Sequence, residues 1–249
     1  MPPYARVLLK LSGESLAGGR DLGIDTDALE RIAEDIVEAS KVGVTFGIVI
    51  GGGNFFRGVS GGKFSMEQPQ ADAVGMLATC MNGVFLAAAL RRAGRAAHVF
   101  SAMPIGDMGG FCRPYTRGEA LQCLQEESVA IFVGGTGHPY FTTDTAAALR
   151  AAEMNCNALF KATKVDGVYA ADPKASAGGG ARFDHISYDE SLARGLRFMD
   201  ATALALARDT GMPILLFSIE ERGNLARVSG GGGVFTRIDS NGGRAESLD

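Results

Sequence analysis

Ala5-Arg6-Val7-Leu8-Leu9-Lys10-Leu11-Ser12-Gly13-Glu14 and Thr45-Phe46-Gly47-Ile48-Val49-Ile50-Gly51-Gly52-Gly53-Asn54-Phe55-Phe56-Arg57-Gly58 decide how this chain folds. Each opens as a short apolar run that reads as a buried strand, over 5–9 and 45–50. Each then runs out into glycine-softened backbone carrying one cation, Lys10 or Arg57. Open parallel sheets bind ligands at the carboxyl ends of their strands. Two such loops, both cationic, predict a site that grips more than one phosphate.

Outward from these loops, strands and helices alternate. Asp25 is placed to cap a helix that begins after Ile24, and Leu29, Ile32, Ala33, Ile36 and Val37 recur at helical spacing. A long apolar helix is expected over 70–92, almost free of charge until its end and therefore buried on several sides, with a subunit interface as one candidate cover. Further strands are expected at 96–100, 129–133, 158–160 and 214–217, with helices at 144–154 and 199–210. This alternation predicts a mainly parallel sheet covered on both faces, in one domain over 1–238. The Ser-Gly-Ala stretch 175–181 and the tail 239–249 are expected to be irregular and mobile, and the tail to lack fixed structure.

Composition excludes several classes. At 249 residues and 46% hydrophobic, the chain can bury a full α/β core. Its net charge of −4, with no lysine-arginine block, argues against nucleic acid as a partner. Cys80, Cys112, Cys123 and Cys156 form no Cys-x-x-Cys pair, which argues against a zinc site or a redox dithiol. No segment reads as a membrane span or signal peptide, so the expected setting is cytoplasmic.

Chemistry enters with a third loop. Val133 leads into Gly134-Gly135-Thr136-Gly137-His138-Pro139-Tyr140-Phe141-Thr142-Thr143-Asp144, and a helix follows, with Thr143 or Asp144 as its expected cap. Hydroxyls, backbone groups and an aromatic ring suit a nucleobase and its ribose better than a sugar polymer or a peptide. Lys161, in Leu159-Phe160-Lys161-Ala162-Thr163, ends another strand and can close on the same phosphates as Lys10. Asp144 can orient both lysines and keep them charged. His138, beside a proline in a glycine loop, reads as solvent-facing or base-adjacent rather than as a general base. Neither the Gly-x-x-x-x-Gly-Lys-[Ser/Thr] loop nor a clean dinucleotide fingerprint is present, so a different phosphate-binding scheme is required.

Four ordered motifs supply one. Lys-Leu-Ser-Gly-Glu, Ile-Gly-Gly-Gly-Asn-x-Phe-Arg-Gly, Gly-Thr-Gly-x-Pro-Tyr-Phe-Thr-Thr-Asp and Lys-Ala-Thr-Lys-Val-Asp-Gly-Val-Tyr resemble the bacterial uridylate kinases (UMP kinases) of the amino-acid kinase superfamily. The match runs from about Arg6 to Ile238, and Met-Asp-Ala-Thr-Ala at 199–203 fits it too.

The resemblance implies a three-layer α/β/α sandwich of the amino-acid kinase (carbamate kinase-like) type. It implies transfer of the ATP γ-phosphoryl group to UMP in pyrimidine nucleotide biosynthesis, with Mg²⁺ bound through the nucleotide phosphates and no metal site of the protein's own. Lys10, Arg57, Asp144 and Lys161 would carry the catalysis. Lys10, Leu11, Ser12, Gly13, Gly53 and Arg57 would meet the ATP phosphates, while Thr163, Tyr169 and Asp172 shape its base and ribose pocket. Gly52, Asp72 and the run Thr136, Gly137, His138, Pro139, Tyr140, Phe141, Thr142 and Thr143 would hold UMP, with Asp72 on the ribose hydroxyls. Gly18, Gly19, Arg20, Asp21, Leu22 and Gly23 match the segment tied to GTP activation in relatives, which are usually homohexamers inhibited by UTP. No nucleic acid or membrane partner is implied.

His138 stands where many relatives carry Asn, and Asn157 where Asp is common. The second departure is expected to remove a carboxylate that could balance lysine charge. Two other readings stand beside the kinase. One is a noncatalytic nucleotide-binding storage or sensor protein on the same fold, against which both retained lysines speak. The other is an acyl-phosphate-forming amino-acid kinase, for which Asp72 and the threonine loop are less easily explained.

Overall fold

The structure, a computed structural model, describes residues 3–56, 65–106, 108–170 and 180–242. In chain order its elements begin with β1 (Arg6–Leu11), α1 (Gly13–Leu16), α2 (Thr26–Ser40), β2 (Thr45–Ile50) and α3 (Gln68–Arg92). Then come β3 (Ala97–Ser101), β4 (Arg113–Pro114), α4 (Arg117–Gln125), β5 (Val129–Val133), α5 (Thr143–Glu153) and β6 (Ala158–Thr163). The chain continues through β7 (Val168–Tyr169), β8 (Arg182–Phe183), β9 (His185–Ser187), α6 (Tyr188–Ala193) and α7 (Ala201–Asp209). It closes with β10 (Ile214–Ser218), α8 (Asn224–Ser229) and β11 (Thr236–Asp239).

Among the described residues, nine strands form one sheet in the order β4-β3-β5-β2-β1-β6-β10-β11-β9, and β7 and β8 make a separate antiparallel ribbon. Every pairing in the large sheet is parallel except β10 with β11. Strand alternation then divides the core in two. Val7, Leu9 and Leu11 of β1 join Phe46, Ile48 and Ile50 of β2 against the Leu29, Ile32 and Ile36 face of α2. Leu8 of β1 and Leu159 of β6 point the other way, into a layer with Ala146, Ala147 and Ala151 of α5 and Leu204 of α7. The sheet is thus covered on both faces, as the strand–helix alternation requires.

Several expectations need adjustment. The 158–160 strand runs on through Thr163, so Lys161 lies within β6 rather than at its end. The side chain of Thr142, not of Thr143 or Asp144, caps α5 by accepting from the Asp144 N–H at 3.0 Å. Helix α3 is both long enough and apolar enough to cross a membrane, where no segment was expected to be. About half of its most apolar stretch is buried, and Leu86, Ala87 and Leu90 pack in the core with Val99 and Ile131 of the sheet; this is a core helix. The last strand runs through Asp239, which accepts from His185 Nε2 and Arg237 Nε, so the irregular tail does not begin there. Most of the 175–181 stretch and residues 243–249 lie outside the described residues.

Candidate active site

Lys10 and Lys161 are register partners across the β1–β6 ladder, so the sheet itself sets two ammonium groups side by side. Lys10 shares the face of Leu8, and Lys161 that of Leu159, because side chains two apart point the same way. That is the face α5 covers. Asp144, in the first turn of α5, sits between them: Lys10 Nζ lies 2.9 Å from Oδ1 as an ion pair, and Lys161 Nζ donates to Oδ2. All three side chains are 14% exposed or less.

Burial alone would raise the Asp144 carboxyl, but the Lys10 and Lys161 charges outweigh it and hold the group below its ordinary range. Burial, joined by Lys10, pushes the Lys161 ammonium below its usual value, while Asp144 opposes that fall. Two cations around one anion leave a net positive locus at a helix N-terminus. Such a locus stabilises negative charge that gathers on a transferring group.

A second carboxylate fixes this arrangement. Asp200 caps α7 by accepting from the Ala203 N–H at 2.8 Å, and it also accepts from Thr145 Oγ1 at 3.0 Å and from Thr142 Oγ1. One side chain thus ties the start of α7 to the start of α5. The sequence reading began that helix at Met199 and so passed over its cap. An aspartate directly before an Ala-Thr-Ala helical run is the signal that could have found it.

Close backbone approach explains the glycines. A Cβ on Gly13 would stand 2.5 Å from Asn54 Oδ1 and 2.7 Å from the Gly51 carbonyl oxygen. One on Gly52 would stand 2.7 Å from the Gly75 carbonyl oxygen of α3. The Ser12-Gly13 turn, the glycine loop after β2 and α3 therefore meet with no room for side chains. Ser12 accepts from the Glu14 N–H at 3.1 Å, capping the short α1.

Two clefts flank the cluster. One, of 260 Å³, is lined by Gly52, Gly53, Asp72, Thr79, Thr142 and Thr143, among others. Asp72 holds its far wall, accepting from the Tyr140 N–H at 2.7 Å and from Gln68 Nε2 at 2.8 Å. The other, of 540 Å³, is lined by Lys161, Asp144 and the α6–α7 connection, including Leu196, Phe198 and Met199. The neighbouring residues Thr143 and Asp144 thus face different clefts, and α5 begins where the two meet.

Thr136, Gly137, His138 and Pro139 continue the loop above the smaller cleft, Phe141 lines it, and His138 is exposed with Nδ1 3.3 Å from the Thr136 carbonyl oxygen. Thr163 ends β6 two residues beyond Lys161, with its hydroxyl bonded to the Val165 carbonyl at 2.7 Å. Tyr169 lies on β7 and donates to Asp166 at 2.6 Å, and neither residue lines the larger cleft. Gly18, Gly19, Arg20 and Asp21 line a separate polar cleft of 290 Å³ with Glu14 and Lys164. Arg57 and Asp172 lie outside the described residues.

Asn157 does not belong to this site. It sits at the opposite end of the sheet, where its Oδ1 accepts from the Ala5 and Arg6 N–H groups at 2.9 and 2.8 Å. The expected loss of lysine balance is corrected accordingly: this side chain anchors the start of β1 and does not face Lys10 or Lys161.

Comparison with known proteins places the chain among relatives along nearly its whole length. A family model described as the amino acid kinase family matches residues 5–218. A uridylate kinase of Rhodopseudomonas palustris (strain HaA2) is 49% identical over 237 residues, covering 95% of this chain and 98% of that protein. One of Hyphomonas neptunium (strain ATCC 15444) is 48% identical, covering 96% and 94%. The crystal structure of a UMP kinase from Bacillus anthracis superposes with a TM-score of 0.91 at 34% identity, covering 96% of this chain and 97% of that one.

Proposed function

The chain belongs to the amino acid kinase family, and on that premise we propose that it transfers the γ-phosphoryl group of ATP to UMP, giving UDP and ADP. The observation that carries this reading is the Lys10–Asp144–Lys161 cluster, set where two clefts meet and formed in a chain about half identical to uridylate kinases. Phosphoryl transfer asks a protein for positioning and for positive charge around the moving group. The acceptor phosphate needs no general base, because its second ionisation, with a pKa of about 6, is complete enough near neutral pH. Lys10 and Lys161 would neutralise the charge that develops, and Asp144 holds both ammonium groups on target.

The smaller cleft, with Gly52, Asp72 and the threonine-rich loop, suits the acceptor nucleotide, and the larger cleft lies on the side of Lys161. Asp72 already spends its carboxylate on the Tyr140 N–H and on Gln68, so its first task is to hold the loop that would cover UMP. Among the described residues no three acidic, His or Cys side chains converge, and Asp144 is committed to the lysines. That donor set fits Mg²⁺ carried on the nucleotide phosphates, where it would add charge neutralisation.

Regulation and assembly extend the proposal. The polar cleft holding Gly18 to Asp21 supports GTP as an activator, and UTP would inhibit by competing for the uridine pocket. A face of α3 exposes Leu77, Met81 and Phe85 at four-residue spacing, which supports self-association, with a homohexamer as the assembly proposed. A cytoplasmic setting is part of the same reading.

The test is a coupled assay of ADP release with ATP, Mg²⁺ and each of UMP, CMP, dTMP and glutamate. Turnover with UMP well above the others is the expected result. ATP binding without turnover on UMP would favour a storage or sensor role, and turnover on glutamate an acyl-phosphate-forming kinase.

A further inference from the structure

A buried amide pair lies behind the Ser12-Gly13 turn and the Gly51–Gly53 loop, and every one of its side-chain N–H groups is committed. Asn82, fully buried in α3, donates to the Gly51 carbonyl at 2.7 Å and to Asn54 Oδ1 at 2.7 Å. Asn54, 1% exposed, donates back to Asn82 Oδ1 at 3.0 Å and to the Gly23 carbonyl at 2.9 Å. The Gly23 N–H then donates to the Asn54 main-chain oxygen at 2.7 Å, closing a two-way link to the 18–23 segment. Asn54 Oδ1 also occupies the space in front of Gly13.

Packing alone does not call for two carboxamides here, since burying them has a desolvation cost that apolar side chains of similar volume avoid. A carboxamide carries both donors and an acceptor, so a reciprocal pair can bind two separate backbone carbonyls at fixed spacing. We infer that Asn54, clamped by Asn82, is a positioning residue for phosphoryl transfer that couples the 18–23 segment to the Ser12-Gly13 turn and the Gly51–Gly53 loop. Movement of the 18–23 segment pulls on Asn54 from both its main chain and its side chain. The glycine loop then shifts relative to Lys10, and misplacement by about 1 Å is enough to cost on the order of 10²-fold in rate. The kinetic part of this inference rests on the UMP kinase reading; the coupling part rests on the hydrogen bonds alone.

The test compares wild type with Asn82→Ala, Asn82→Ser and Tyr188→Phe. Among the described residues the side-chain hydrogen bonds of Asn82 go to Gly51 and Asn54, so any effect on 18–23 must pass through Asn54. Tyr188 loses one buried hydrogen bond, to the Met212 carbonyl, away from the site, and so reports the effect of lost stability alone. Steady-state kinetics with UMP and amide hydrogen exchange by mass spectrometry are read together.

Asn82→Ala is expected to lower kcat about 10- to 100-fold with KM for UMP within about twofold. Asn82→Ser, which keeps one donor, is expected to recover part of that loss. Exchange in peptides covering 18–23 and 51–54 should rise together. A kcat loss no larger than that of Tyr188→Phe, a KM rise as large as the kcat fall, or faster exchange confined to 51–54 would overturn the inference. If Asn82→Ala does not accumulate as folded protein, Asn82→Ser carries the same comparisons. If wild type shows no turnover on UMP, the functional proposal fails by itself and the exchange data still decide the coupling.

Discussion

Lys161 shows how far one residue's role follows from its surroundings. Its ammonium is nearly dry, shares Asp144 with Lys10, and opens on the larger cleft. Under the proposed function, a charge placed this way would contribute where negative charge gathers during transfer, and little to holding an acceptor on the far side of Thr143. Lys161→Ala is therefore expected to lower kcat by about 10²- to 10³-fold while KM for UMP changes less than about threefold, measured by steady-state kinetics. Equal loss in both would assign Lys161 to binding alone. The lysines and Asp144 were legible in the sequence because cations at strand ends and a carboxylate at a helix start have recognisable local signatures. The Asn54–Asn82 pair was not, since Asn54 reads only as part of the glycine motif, Asn82 has no local signature, and their meeting depends on α3 lying across the glycine loop. Asn157 misled for a related reason: sequence proximity to Lys161 did not reveal that four residues along a strand reach the opposite end of the sheet.

The elements carry a different constraint. Helix α3 rests on the sheet through Gly83, where an added Cβ would overlap Val133 Cγ1 and come within 3.3 Å of Val99 Cγ1. Alanine is the better helix former at an exposed position, yet here it forces α3 away from β5 and β3. Gly83→Ala is expected to destabilise the fold by about 1–3 kcal/mol, measured by urea unfolding. A gain in stability would show that this interface has slack. Asn82 neighbours Gly83, so the same displacement would disturb the amide pair. The major strands and long helices were readable because apolar periodicity is local. Short pieces such as α1, α6, β4 and β9 were not, because a few residues hold little periodic signal and take their shape from what they pack against. The antiparallel return of β11 beside β10 is likewise set by tertiary pairing and not by any turn signature.

At the scale of the whole molecule, the sheet is closed at one edge by an ionic clasp. Asp239 accepts from Arg237 Nε at 2.6 Å, from His185 Nε2 at 2.8 Å and from the Asn241 N–H at 2.8 Å. Burial pushes its carboxyl upward, but Arg237 and His185 outweigh that and bring it from 3.8 down to about 2. A carboxyl depressed in the folded state contributes stability that is fully present above its unfolded value and is lost as pH falls through the folded one. The clasp should therefore hold above pH 4 and fail between about pH 4 and 2. Urea unfolding of wild type and Asp239→Asn from pH 7 down to pH 2 is expected to show a difference that is full above about pH 4 and shrinks towards pH 2. A difference independent of pH would mean that the carboxylate charge is not what holds β9 and β11 together. The two lysines impose a stricter demand. Because they are cross-strand partners, a slip of β6 by one residue would turn Lys161 to the opposite face and remove it from Asp144 altogether. A misassembled copy would then be slowed at least as far as Lys161→Ala. Specific activity after refolding would count the fraction of chains whose central strands had found their alignment, making the catalyst a reporter of its own assembly.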